Sequence, residues 1–396
     1  MKIYRNLVEG VIQSLEKIFN ENRYADKVIE YLFKEQKKWG ARDRRFVAET
    51  IYDVVRWYRL LNELAPEKDN RWQICGVYFM SKNIVLPDWP EFKGLNSNEA
   101  SKKLASFKNN KAILQSVPDW LYELGLKELP EKWNHELEAL NVQAQVVLRA
   151  NTLKTSAAKL QKELSQEHIE TERVDACPDA LVLAERKNIF TSQLFKHGNF
   201  EIQDASSQQV GTFLQPQAGM IVIDACAGAG GKTLHLAALM QNKGKIIAMD
   251  VEERKLEELQ RRAKRGSVGN IETKVIASEK TIKDLEKTAD RLLLDVPCSG
   301  LGVLKRNPDA KWKLSLQQIE EVKVKQKNIL QNYSQMLKPG GLMVYATCSI
   351  LPSENQDQVK SFLEGNKEFS FLKDRTIFPS EGFDGFYMCL ILRKNS

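Results

Sequence analysis

From about residue 216 onward, short apolar runs alternate with stretches of helical period, and that alternation admits few folds. GMIVID, KIIAMD, KVIAS, RLLLD and GLMVYAT read as strands, while KTLHLAALM and the basic ERKLEELQRRAKR have the period of helices. Strand and helix in regular exchange predict a doubly wound parallel sheet in an α/β fold. Ligands of such a sheet bind beyond the carboxyl ends of its strands, so the residues that end each run are the first candidates for function.

The first of these ends is DACAGAGGKT, Asp224 to Thr233. A triphosphate-binding loop requires glycine where Cys226 stands, and the dinucleotide fingerprint requires Gly or Ala where Thr233 stands. The turn therefore fits neither pattern, yet its glycines permit close backbone approach to a ligand. KIIAMD ends on Asp250, where a carboxylate can accept hydrogen bonds from ribose hydroxyls. RLLLD ends on Asp295 and is followed by Val296, Pro297 and Cys298, and GLMVYAT leads to Cys348. One sheet edge can thus collect a nucleoside cofactor, a carboxylate and two thiols.

Residues 1 to about 140 have mostly helical period, as in FVAETIYDVVRWYRLL, where Val47, Ile51, Val54, Tyr58 and Leu61 share one face. From 145 to about 215, VVLRA, ERVDA and ALVLA read as short strands around the helix TSAAKLQKEL, capped by Thr155 or Ser156. Three domains are expected: 1–140 helical, 145–215 small α/β, and 216–396 doubly wound. No apolar run approaches a membrane span, and the first residues carry charges through a helical period, unlike a secretory signal. The chain is read as a cytoplasmic monomer without membrane contact. Six dispersed cysteines and four separated histidines make neither a disulfide framework nor a ligand set, so no metal is expected. A net charge of +7 is compatible with nucleic acid without identifying it.

DVPCSGLGVLKRNPDAKW and YATCSILPSEN are specific in combination, as a lone glycine turn or strand-end cysteine is not. Together with VPDWL, LRANTLK, GNFEIQDASSQ, DACAGAGGKT, LKPGGLMVYATCS and DGFYMCLILR, they make residues from about 108 to 396 resemble the Sun-type S-adenosylmethionine-dependent RNA (cytosine-5) methyltransferases. The helical part, with DRRFVAETIYDVVRW, is similar to the NusB-like RNA-binding domain of the bacterial enzymes that act on 16S ribosomal RNA. The resemblance implies a Rossmann-like class I methyltransferase domain, an all-helical NusB-like domain and a small α/β subdomain between them. It also implies S-adenosylmethionine as cofactor and ribosomal RNA as partner.

Carried onto this chain, the resemblance places Cys226, Ala227, Gly228, Ala229, Gly230, Gly231 and Lys232 along the methionine and ribose of the cofactor, with Asp250 at the ribose and Asp295 nearby. The acid expected beside adenine is missing from KVIASEK, so Ser278 or Glu279 is expected to serve instead. Ala229 stands where proline is usual and Gly228 where alanine is common, which predicts a more flexible turn. Cys348 is the implied nucleophile, adding to carbon 6 of cytosine so that carbon 5 becomes nucleophilic, and Cys298 assists elimination. Asp295 contacts the base edge and Lys232 orients the base. Arg254, Lys305, Arg306 and Lys311 are expected to meet RNA, and Trp312 either a base or the core. For Arg261, Arg262, Lys264 and Arg265, RNA contact and a helix-dipole role are both open. Three alternatives accompany this reading: Cys298 as nucleophile, as in DNA cytosine methyltransferases; a transfer RNA substrate; and a non-catalytic ribosome-assembly factor.

Overall fold

A computed structural model describes residues 3–395, in two compact units. The first comprises the chain up to Val142 together with Leu304–Leu316; the second comprises Gln143–Val303 and the chain from Gln317 on. In the first unit the helical period of FVAETIYDVVRWYRLL is interrupted at Trp57, between the helices Ala41–Arg56 and Tyr58–Leu64. Val47, Ile51 and Val54 face the core beside Leu15, Ile18 and Phe79, whereas Tyr58, after the break, stacks on Phe19 at 4.0 Å.

Leu304–Leu316 enters this unit as a wedge, although the sequence pattern groups it with the sheet domain. The Trp312 indole donates to the Val55 carbonyl (2.7 Å), Lys313 to the Ile18 carbonyl (3.1 Å), and the Asp309 carboxylate accepts from the Ala25 amide (3.0 Å). Arg56, buried, donates to the carbonyls of Leu304 (3.3 Å) and Lys305 (2.9 Å). Polar groups thus meet partners while the Trp312 ring packs against the helical core.

The second unit begins with a four-stranded antiparallel sheet, β1 (Val147–Ala150), β2 (Thr171–Val174), β3 (Cys177–Leu183) and β4 (Phe200–Ile202), in the order β2-β3-β1-β4. The helix Ala157–Gln166 covers it, capped by Ser156, whose hydroxyl accepts from the Lys159 amide. Seven further strands form the large sheet: β5 (Ile221–Asp224), β6 (Lys245–Asp250), β7 (Ile271–Val275), β8 (Ala289–Asp295), β9 (Leu337–Thr347), β10 (Phe369–Ile377) and β11 (Phe386–Arg393). Their order is β10-β11-β9-β8-β5-β6-β7, parallel from β9 to β7 and antiparallel at β10 and β11. The order reverses between β5 and β8, which opens a crevice at their carboxyl ends. β7 pairs from Ile271 rather than along KVIAS; as an edge strand with one neighbour it needs no continuous apolar run.

Candidate active site

β8 and β9 are parallel neighbours, with Asp295 in register with Ala346. The chain turns just beyond both ends, and the turns bring the Cys298 and Cys348 sulfurs to 3.3 Å. The turns are pinned to one another, because the Gly302 amide donates to the Cys348 carbonyl (2.9 Å). A Cβ on Gly302 would lie 2.7 Å from that oxygen and 2.3 Å from the Gly385 carbonyl, so the approach requires glycine. Contact with Cys348, and then burial, push the Cys298 thiol well above its ordinary range.

Lys232, in the first turn of the helix Gly231–Leu239, reaches Asp295 at 2.7 Å and lies 4.7 Å above the Phe386 ring. Burial opposes its charge, but Asp295, with Cys348 and Asp224 nearby, outweighs that and raises its affinity for the proton. Asp224 is buried, accepts from the Thr233 hydroxyl at 2.7 Å, and is pushed by burial up to about 7. A cation, a thiol pair and two acids therefore share the crevice.

The end of β6 and a cavity beside it offer groups that could hold a nucleoside. The two oxygens of Asp250 accept from the Gly228 and Glu252 amides, both at 2.9 Å, leaving lone pairs for hydroxyl donors. Gly228 has φ +52°, and a Cβ there or at Gly231 would meet open space, the space a ligand against the turn would use. The Ile276 amide donates to the Asp250 carbonyl (2.9 Å), and from Ile276 a cavity of about 220 Å³ runs past Ser278, Glu279, Ile282, Ile329 and Tyr333. Ile276, Ile282, Ile329 and Tyr333 give it an apolar side on which a flat base could lie, and Ser278 and Glu279 are among its polar groups. Asp250, Cys226 to Lys232 and these cavity walls are the residues that would hold S-adenosylmethionine. A larger hollow, about 550 Å³ between Tyr4, Arg42, Phe46 and Glu49, lies in the helical unit and carries neither thiol nor strand-end acid.

Arg262 donates to the Ala229 carbonyl and Arg149 to the Gly231 carbonyl, both at 2.6 Å. Arg262 and Arg265 also pair with Glu201 on β4, so these two cations fasten their helix to the small sheet. Only LRANTLK and GNFEIQDASSQ hinted at this support; the pairing of their residues with a helix some sixty positions on is a product of packing.

The structure corrects the expectation that Lys305 and Lys311 meet RNA. Lys311 is 1% exposed, and its ammonium donates to the Arg56 carbonyl (2.7 Å) and lies over the Trp312 ring, with burial holding its pKa well below the lysine range. Lys305 is 5% exposed. Both are interior residues of the helical unit, where Trp312 also packs. Arg306 is partly buried and Arg254 is exposed. Among the described residues no three or more His, Cys, Asp or Glu side chains are placed to hold a metal, and no helix is long and apolar enough to cross a membrane.

A doubly wound sheet completed by an antiparallel hairpin, with a glycine turn after its first parallel strand and an acid ending the next, defines a class I S-adenosylmethionine-dependent methyltransferase. Residues 211–388 match the family described as 16S rRNA methyltransferase RsmB/F, and residues 117–190 match the ferredoxin-like domain of the same group. The chain is 36% identical to a probable ribosomal RNA small subunit methyltransferase B of Synechocystis, over 83% of this chain and 82% of that one. It is 35% identical to ribosomal RNA small subunit methyltransferase B of Vibrio cholerae, over 70% of this chain but 65% of that one, less than two thirds of the relative's length. The crystal structure of PH0851 is similar over 99% of both chains, with TM-score 0.83 and 25% identity. The chain belongs to the RsmB/F family of 16S rRNA methyltransferases.

Proposed function

We propose that this chain methylates carbon 5 of a cytosine in 16S ribosomal RNA, through a transient bond between Cys348 and carbon 6. The observation that carries the reading is the contact of two free thiols, 3.3 Å apart at the ends of adjacent strands, beside the Lys232–Asp295 pair. Bound along the glycine turn, S-adenosylmethionine supplies an electrophilic methyl group that carbon 5 accepts. Cys348 adds to carbon 6 as the thiolate, and the ring electrons it displaces make carbon 5 nucleophilic. Asp295 hydrogen-bonds the base edge and supports the ring nitrogen as it gains a proton, while Lys232, 2.7 Å away, orients Asp295.

Either sulfur can donate in the 3.3 Å contact; with Cys348 acting as the thiolate, the Cys298 thiol is the donor to it. After methylation, carbon 5 loses its proton to solvent, the electrons of that bond restore the carbon 5–carbon 6 double bond, and the carbon–sulfur bond breaks with its pair leaving on Cys348 beside the Cys298 thiol. The helical unit and the names of the relatives support ribosomal RNA over transfer RNA.

Bisulfite sequencing of 16S rRNA incubated with the protein and S-adenosylmethionine tests the proposal. One newly protected cytosine is expected, absent with Cys348→Ala; transfer of labelled methyl to the RNA with no newly protected cytosine, or no transfer by folded protein that binds the cofactor, overturns it.

A further inference from the structure

Glu354 is fully buried, lies six residues beyond Cys348, and has no place in the chemistry above. One of its oxygens accepts from the Ser299 amide (2.8 Å) and from the Gln326 side-chain amide (3.0 Å). The other accepts from the hydroxyls of Ser299 and Ser349. Ser299 directly follows Cys298, and Ser349 directly follows Cys348. Gln326 also donates to the carbonyl of Pro297 (2.9 Å), on the other side of Cys298. The Tyr345 hydroxyl, from within β9, holds the Glu354 backbone carbonyl at 2.7 Å. One side chain is therefore bonded to the backbone or neighbour of each thiol and to the helix packed behind them.

We infer that Glu354 is a positioning residue that sets the separation of the two thiols. The inference rests on the two-thiol reaction proposed above. A carboxylate without a proton is an acceptor only, and four donors converging on two oxygens match that pattern. The thiol-bearing turns follow different strands, and the bond from the Gly302 amide to the Cys348 carbonyl also ties them. The Ser299 and Ser349 hydroxyls also meet each other at 3.2 Å, so removal of the carboxylate would leave that single hydroxyl contact between the two side chains, strand the Ser299 amide and one Gln326 N–H without an acceptor, and so loosen the spacing of the turns.

The donor set also distinguishes charge from shape. Oε2 faces an amide N–H and an amide NH₂, which can only donate; Oε1 faces two hydroxyls, which can rotate to accept. Glutamine with its oxygen at the first position and its nitrogen at the second keeps every bond. Glu354→Gln is thus the rescuing variant and Glu354→Ala the disruptive one.

The test measures thiol geometry without methyl transfer. Phenylarsine oxide, which bridges two neighbouring thiols through one arsenic, is added to the full chain alone, and the adduct is mapped by mass spectrometry. Wild type and Glu354→Gln should form a Cys298–Cys348 bridge. Glu354→Ala should not, although iodoacetamide still labels each thiol. With RNA and cofactor, Glu354→Ala should lose ~10²-fold in turnover, the scale expected for reacting groups misplaced by about 1 Å, with cofactor affinity unchanged. Should that variant not fold, Ser299→Ala with Ser349→Ala removes the two hydroxyl donors and makes the same prediction. A bridge that forms as readily in folded Glu354→Ala as in wild type overturns the inference, as does an equal defect in Glu354→Gln. Bridging that follows the prediction while wild type fails to methylate cytosine would refute the proposed reaction and leave the clamp standing.

Discussion

His235 is 3% exposed on the helix behind the glycine turn, and neither ring nitrogen has a hydrogen-bond partner. Burial lowers its pKa from 6.5 to about 4; Asp179, at 3.8 Å and beyond hydrogen-bond reach, offsets this only in part, and Arg149 adds to it. The folded protein therefore holds a neutral imidazole while the unfolded chain takes up a proton below its own pKa. The resulting stability is present above pH 6.5 and is lost as pH falls toward 4. With one pKa unit worth about 1.4 kcal/mol, lowering the pH from 7 to 5 should cost about 2 kcal/mol through this group. Asp224 acts in the opposite sense, because a carboxyl raised to about 7 stabilises the fold increasingly as pH falls. The wild-type profile alone is thus a sum of opposed contributions. Urea denaturation at pH 7 and pH 5, for wild type and His235→Gln, isolates the histidine: the variant should lack that part of the acid loss. Equal pH dependence in the two proteins would refute the assignment.

Asp250→Ala should weaken S-adenosylmethionine binding by about 1.5–3 kcal/mol, the scale of a charge-assisted hydrogen bond, as read by calorimetry. Arg262→Ala removes a bond to the glycine turn and one partner of the buried Glu201; a loss of about 2 kcal/mol or more in stability is expected from chemical denaturation. Lys311→Met should leave RNA affinity unchanged in a filter-binding assay while lowering the thermal midpoint, since the Arg56 carbonyl loses its buried donor. Deleting residues 1–142 strips Trp312 and Asp309 of their partners, so light scattering should show aggregation that replacing Leu304–Leu316 by a short polar loop relieves.

The strand-end residues were legible because burial and position both leave a trace in sequence. Ile221–Asp224, Lys245–Asp250 and Ala289–Asp295 are apolar runs that stop at an acid, and parallel pairing puts those acids along one edge. The resemblance supplied the roles of Cys298 and Cys348, while their 3.3 Å contact depends on turns that no local pattern specifies. Lys311 misled for a related reason: a lysine near a tryptophan suits RNA by composition, but its partner Arg56 lies 255 positions away. Glu354 was visible within YATCSILPSEN, yet its role requires Ser299 and Gln326, brought to it only by the packed sheet and helix. β10 was illegible as well, because the edge strand FSFLKDRTI is buried only at Phe369 and Ile377 and carries neither an apolar run nor a polar–apolar alternation between them.

The two-step use of the thiols is tested most directly by trapping the protein–RNA bond. Wild type, Cys298→Ala, Cys348→Ala and the double variant are incubated with 16S rRNA and S-adenosylmethionine, then separated on a denaturing gel. Cys298→Ala should accumulate a slow covalent band, because the bond to Cys348 forms but is not released. Cys348→Ala and the double variant should show none. A band retained by Cys348→Ala and lost in Cys298→Ala would contradict the account and make Cys298 the nucleophile.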